Sequence, residues 1–208
     1  MSNAQLLRAQ KLFSKLNTLF PDARMILHYS NPWECLVAVM LSAQCTDVQV
    51  NKVTKQLFKK YQTFDDYIQA KRSAFEKDIF STGFYRNKTK HILAAARMLQ
   101  KEFGGSVPKT MEELVRLPGV ARKTANVVLG NCFGVYEGIA VDTHVARLSR
   151  VLKLTKNTTP LTIEQDLMRL FPREKWFSLT YLLIEYGRKY CTARKHTHEK
   201  CPLYDLTF

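Results

Sequence analysis

The chain has 208 residues, and 46% of them are hydrophobic, which is enough for a sizeable core and too much for an intrinsically disordered chain. Its 32 Lys and Arg against 18 Asp and Glu leave a net charge of +14, which points to a polyanionic partner. No apolar run reaches the ~20 residues of a membrane-spanning helix. The opening MSNAQLLRAQ lacks the apolar block of a secretory signal, and the cysteines at 35, 45, 132, 191 and 201 are an odd, scattered set, so a reducing cytoplasm is the expected location.

Apolar spacing is helical almost throughout. Leu6, Ala9, Phe13, Leu16 and Phe20 recur every three or four residues until Pro21 stops the run. Val50, Val53, Leu57 and Tyr61 mark a second helix. Ile92, Ala96, Leu99 and Phe103 mark a third, closed by Gly104 and Gly105. Ser73 with Glu76, Thr110 with Glu113, and Thr162 with Gln165 have capping-box spacing. Residues 176–186 read as one more helix, ended by Gly187. Alternating patterns are scarce and no segment repeats at a fixed period. The expected fold is all-α, with about ten short helices joined by tight turns.

Residues 110–150 carry the most chemistry. A capped helix over 111–116 runs into Leu117-Pro118-Gly119-Val120-Ala121, and a second begins near Arg122-Lys123-Thr124, taking Ala125, Val127, Val128 and Leu129 toward a core. Pro118 stops the first helix, and Gly119 permits a backbone conformation that other residues resist. The amides of such a hairpin bind phosphate at a helix N-terminus without side-chain charge. In a chain this basic, the helix-hairpin-helix points to duplex phosphates, the plainer alternative being a tight turn between packed helices. Further on, Val141-Asp142-Thr143-His144 leads into a helix with Arg147 and Arg150. Asp142 stands where that helix starts, so an N-cap is its plain role. The same carboxylate can also stabilise positive charge developing on a sugar.

LPGVARKTANVVL followed by VDTHVARL resembles the endonuclease III family of helix-hairpin-helix DNA glycosylases. NPWECLVAVMLSAQCTDVQVNKV, GFYRNKTKHI and GRKYCTARK match that family in order and spacing, over nearly the whole chain. The resemblance implies a two-lobed fold: a six-helix barrel over 23–135 carrying the hairpin at about 111–131, and a second helical lobe from 1–22 plus 136–208. DNA would lie across the cleft between them. It assigns the nucleophilic lysine to Lys123 and the catalytic aspartate to Asp142. It also assigns filling of the gap left by a flipped nucleotide to Gln44, and wedging of the opposite strand to Phe84. Without the resemblance, Gln44 reads as a buried amide capping a loop and Phe84 as core. Leu117, Gly119, Ala121, Arg122, Thr143, Arg147, Arg194 and Lys195 complete the expected DNA-binding set.

The implied activity is a bifunctional DNA glycosylase and AP lyase acting on oxidised pyrimidines such as thymine glycol. The implied partner is duplex DNA with damaged bases or abasic sites, bound by a monomer, with no membrane. Lys123 must attack as a neutral amine, so burial or nearby positive charge such as Arg122 is expected around it. The family's adenine-mismatch branch carries a glutamate and a small residue where this chain has Ala38 and Lys123, and both departures favour the lyase. The alternative class is a non-catalytic or lyase-only protein that binds damaged DNA.

The C-terminus departs from the family. Four cysteines spaced C-x6-C-x2-C-x5-C hold a [4Fe-4S] cluster there. On that spacing this chain has Cys191, His198, Cys201 and Thr207. The expectation is therefore no cofactor and no cluster, with Tyr204, Leu206 and Phe208 packing the space. Zinc on Cys191, His196, His198 and Cys201 is the alternative. The basic residues of this stretch, Arg188, Lys189, Arg194, Lys195 and Lys200, are expected against DNA backbone or free in solvent. A second departure is Ala121, where the family has glycine; a positive φ there would strain alanine by ~1 kcal/mol.

Overall fold

The computed structural model describes residues 3–207, and among them there is no strand. Two compact units divide the chain: Met1–Met25 with Tyr136–Phe208, and Ile26–Val135. Helix α1 (Asn3–Leu19) belongs to the first. The second holds α2 (Pro32–Leu41), α3 (Asp47–Lys60), α4 (Phe64–Gln69), α5 (Arg72–Asp78), α6 (Tyr85–Glu102), α7 (Met111–Leu114) and α8 (Arg122–Val128). The chain then returns to the first unit with α9 (Thr143–Val151), α10 (Pro160–Leu170) and α11 (Arg173–Lys189).

In the Ile26–Val135 unit the central helix is α2, apolar on every side and buried from Cys35 to Leu41. Its start is fixed locally: Asn31 accepts from Glu34 N at 2.9 Å, Glu34 returns a carboxylate to Ser30 N at 2.7 Å, and Pro32 opens the first turn. Helices α3, α6 and α8 pack on it. Each fully buried Leu or Ile, such as Leu36, Leu41 or Ile92, contributes roughly 2 kcal/mol to that core. Thr63 and Asp66 close a reciprocal capping box at the start of α4. Ser73 does not cap α5: the helix starts after Lys71, so Ser73 already lies in its first turn, and Glu76 pairs with Arg72 at 2.8 Å.

In the other unit α1 packs on α10 and α11, and α11 on α9. Leu12, Leu16, Leu148, Ile163, Leu167 and Leu183 form its centre. Arg8 ties three segments by donating to the carbonyls of Leu152 at 2.9 Å, Lys153 at 2.6 Å and Leu206 at 3.2 Å, a cation at the C-terminal end of α9. Helix α10 is capped by Thr159, with Pro160 at its first position, instead of by Thr162. Gly187 does not end α11, which runs on to Lys189. A Cβ there would stand 2.9 Å from Leu148 Cδ1 and 3.0 Å from His144 Nδ1, so this glycine serves the close approach of α9.

Candidate active site

Thr110 caps α7 by accepting from Glu113 N at 3.3 Å, and its hydroxyl donates to the Glu113 carboxylate at 2.7 Å. After α7 the chain turns through Leu117-Pro118-Gly119. Gly119 has φ +80°, and a Cβ on it would lie 2.7 Å from His91 Cβ, so both conformation and space require glycine here. Ala121 has φ −94° and ψ 167°, extended backbone in which alanine is unstrained. Leu117, expected at DNA, is a buried side chain; its N–H is spent on Leu114 O and its carbonyl on Val120 N. It holds the turn. Arg122 and Lys123 form the first turn of α8, whose inner face buries Ala125 and Val128. Lys123 itself is exposed, so this chain supplies no burial around its amine.

In the same unit, two loops converge near the hairpin. Gln44 follows α2 with φ +53°, and Phe84 precedes α6 with φ +48°, both left-handed and costly for non-glycine residues by about 1–3 kcal/mol each. Neither plain reading of these residues holds: Gln44 is exposed, and Phe84 is 62% exposed instead of core. A cavity of about 180 Å³ is lined by Met40, Gln44, Phe84, Lys88, His91 and Gly119, among others. Beneath it lies Lys88, which sequence reasoning missed. Its buried Nζ donates to Leu41 O at 2.7 Å and Thr82 O at 2.8 Å, joining the stems of the two loops. The available signal was a lysine in phase with the buried stripe Ile92, Ala95, Ala96 and Leu99 of α6.

In the other unit Asp142 caps α9, its Oδ1 accepting from Val145 N at 2.8 Å, and its side chain is half-buried. Thr143 is exposed. Arg147, expected at DNA, has its guanidinium engaged as a clamp on the tail loop. Its guanidinium donates to Cys191 O at 2.5 Å and Thr192 O at 3.3 Å, and approaches Cys191 Sγ at 3.8 Å. Arg194, Lys195 and Lys200 stay exposed on the loop that Arg147 holds.

That loop also overturns the expectation of a tail without a cofactor. Cys191, His196, His198 and Cys201 come together with one ligand atom from each within 4.8 Å of every other, a group able to hold a metal ion. Of the four positions in the family's cluster spacing, cysteine stands at Cys191 and Cys201. Thr207, at the last position, is buried and donates its hydroxyl to Leu203 O at 2.8 Å. Phe208 lies outside the described residues.

Relatives agree with this architecture. The chain is 49% identical to endonuclease III of Synechocystis sp. over 199 residues, 96% of this chain and 91% of that one. It is 44% identical to endonuclease III in a non-covalent complex with DNA, with a TM-score of 0.92 covering 100% of this chain and 96% of the other. A trapped endonuclease III–DNA covalent intermediate gives the same identity and TM-score over 99% of this chain and 96% of that one. Residues 37–173 match the family described as HhH-GPD superfamily base excision DNA repair protein. With well over half its length in that match and such relatives along almost all of it, the chain belongs to the HhH-GPD superfamily of base excision DNA repair proteins.

Proposed function

We propose that this chain is a DNA glycosylase and AP lyase that releases oxidised pyrimidines such as thymine glycol and nicks the resulting abasic site. The observation that carries the reading is Lys123: an exposed amine in the first turn of α8, directly after a hairpin pinned by the Gly119–His91 contact. The relative trapped as a covalent intermediate with DNA supports a route through a covalent protein–DNA adduct.

In this reading the damaged nucleotide is rotated out of the stack, at a cost of a few kcal/mol. Gln44 enters the gap and Phe84 wedges the facing strand; their exposure and shared cavity support both roles. Such filling and bending offset the unstacking. The hairpin amides hold backbone phosphate, and bound DNA supplies the enclosure that the protein alone does not give Lys123. The amine attacks C1′, the C1′–N bond breaks, and the base leaves with its electron pair. Ring opening gives a Schiff base between Nζ and C1′. Loss of a C2′ proton then expels the 3′-phosphate by β-elimination, and water releases the lysine. Asp142 stabilises the cationic sugar and assists proton transfer.

The test is borohydride reduction on duplexes carrying thymine glycol or an abasic site. Wild-type protein is expected to form a covalent adduct mapping to Lys123, and Lys123→Ala to lose it while still binding the duplex. An adduct that persists in Lys123→Ala would remove this residue from the role. Binding without base release or incision would favour a non-catalytic protein.

A further inference from the structure

We propose that Cys191, His196, His198 and Cys201 bind one zinc ion in a tetrahedral site that clasps the basic loop at the end of α11. The ligands lie in the order Cys-x4-His-x-His-x2-Cys, two thiols and two imidazoles, a donor set that structural zinc accepts.

The distances favour a single ion. With Zn–S at about 2.3 Å and Zn–N at about 2.0 Å, a tetrahedron sets sulfur and nitrogen about 3.5 Å apart and the two sulfurs about 3.8 Å apart. Cys201 Sγ stands 3.4 Å from His196 Nε2, and Cys191 Sγ stands 3.8 Å from His198 Nδ1. The widest separation within the group, 4.8 Å, exceeds the longest tetrahedral edge by only about 1 Å. A two-iron cluster with mixed ligands would put the thiols on one iron and the imidazoles on the other, parting them by the width of the cluster.

The surroundings are those of a metal ligand set. His196 Nδ1 lies 2.8 Å from Arg194 O, a carbonyl that only accepts, so Nδ1 carries the proton and Nε2 turns its lone pair toward Cys201. Arg147 directs a donor at Cys191 Sγ and fixes the Cys191 and Thr192 carbonyls. Both cysteines are buried in the core of their unit, whereas the imidazoles are half-buried, which leaves a path for entry. One ion there ties the end of α11 to the turn at 201–207 and closes the loop that presents Arg194, Lys195 and Lys200. Binding joins segments that already pack together, so its free energy adds to the stability of this unit.

The experiment is elemental analysis of the full-length protein, purified without chelator from cells supplied with both iron and zinc. The expected result is about one zinc per chain, with neither iron nor acid-labile sulfide. Cobalt(II) exchanged into the same protein should give the visible bands of a tetrahedral ion and a thiolate charge-transfer band. Cys201→Ser and His196→Ala should each lower zinc content by about tenfold or more after dialysis, with Cys45→Ser as the unaffected control. Iron with sulfide, or no metal above trace, overturns the proposal. The wild-type metal content and cobalt spectrum decide it even where a variant fails to fold.

Discussion

Lys88 Nζ donates to the carbonyl of Leu41 at 2.7 Å from a side chain that is almost wholly buried, and a second bond, to Thr82 O at 2.8 Å, makes the lysine a brace between two loops. Those loops carry Gln44 and Phe84 in left-handed conformations that neither residue holds cheaply. Lys88→Met removes the donor and leaves two buried carbonyls unpaired, partly offset by no longer burying a charge. A net loss of about 2 kcal/mol is expected, read from urea denaturation. Affinity for an abasic duplex should fall as well, because the loop carrying Gln44, proposed to fill the gap, loses its anchor. Unchanged stability and affinity would show that the brace is idle.

The same residue sets a pH dependence. Burial pulls the Lys88 amine below the usual lysine range, with a smaller opposing influence from Cys45. Below that lowered value both folded and unfolded chains are protonated, and the burial penalty is fully present. As pH rises from it toward the ~10.4 of a free lysine, the folded amine has lost its proton while the unfolded chain still binds one, so stability rises. Wild-type protein should therefore gain stability over Lys88→Met across that alkaline window. Parallel stability curves for the two proteins would contradict the assignment.

The hairpin predicts a non-additive pair. Gly119→Ala meets both a positive φ and a Cβ only 2.7 Å from His91, so about 1–3 kcal/mol of destabilisation is expected. Adding His91→Ala clears carbons beyond the clashing Cβ, so the double variant should recover only part of the loss; full recovery would mean that φ strain is negligible. Ala121→Gly should bring no gain and cost about 0.5–1 kcal/mol, because Ala121 already sits at φ −94°. Thermal midpoints of five proteins suffice: wild type, Gly119→Ala, His91→Ala, their double variant and Ala121→Gly.

Local chemistry made much of this legible. The stripe Leu6, Ala9, Phe13, Leu16 becomes α1, and Asp142 caps α9 as its position before Thr143 foretold. The motifs that resemble the family are visible in the bare chain. What failed were signals that tertiary packing outbids. Gly187 reads as a helix stop until α9 crosses beside it, and nothing local announces that the tail loop takes the Arg147 guanidinium. Ser73 and Thr162 have box spacing, yet each lies inside the first turn of its helix and neither is the N-cap. The four possible metal ligands can be named from the sequence as an alternative, but His196 lies off the family's cysteine spacing, so the family pattern argues against them. Only the fold of the loop shows that His196 meets Cys201 at 3.4 Å.

The exposed loop should contribute to DNA affinity through charge alone. Arg194 and Lys195 have exposed side chains, and the bond to His196 uses the Arg194 backbone carbonyl, which substitution leaves intact. Arg194→Gln with Lys195→Gln should leave folding unchanged and weaken binding to all duplexes alike. The dependence of log affinity on log salt should flatten by about 0.9 for each phosphate that the loop no longer neutralises. An identical slope in the double variant would place the loop away from DNA.

Asp142 has a structural role as a helix cap and a proposed chemical one, and two substitutions separate them. Its Oδ1 accepts from Val145 N at 2.8 Å, and an asparagine oxygen accepts the same bond. Asp142→Asn should therefore fold with near-wild-type stability, whereas Asp142→Ala should lose about 1 kcal/mol with the cap. Cationic sugar stabilisation needs the charge, so both variants should release thymine glycol about 100-fold more slowly, whatever their stability. Comparing single-turnover base release with thermal midpoints for the pair isolates the charge from the cap. Should Asp142→Asn keep its rate while Asp142→Ala slows only as far as its lost stability predicts, the residue is a helix cap and nothing more.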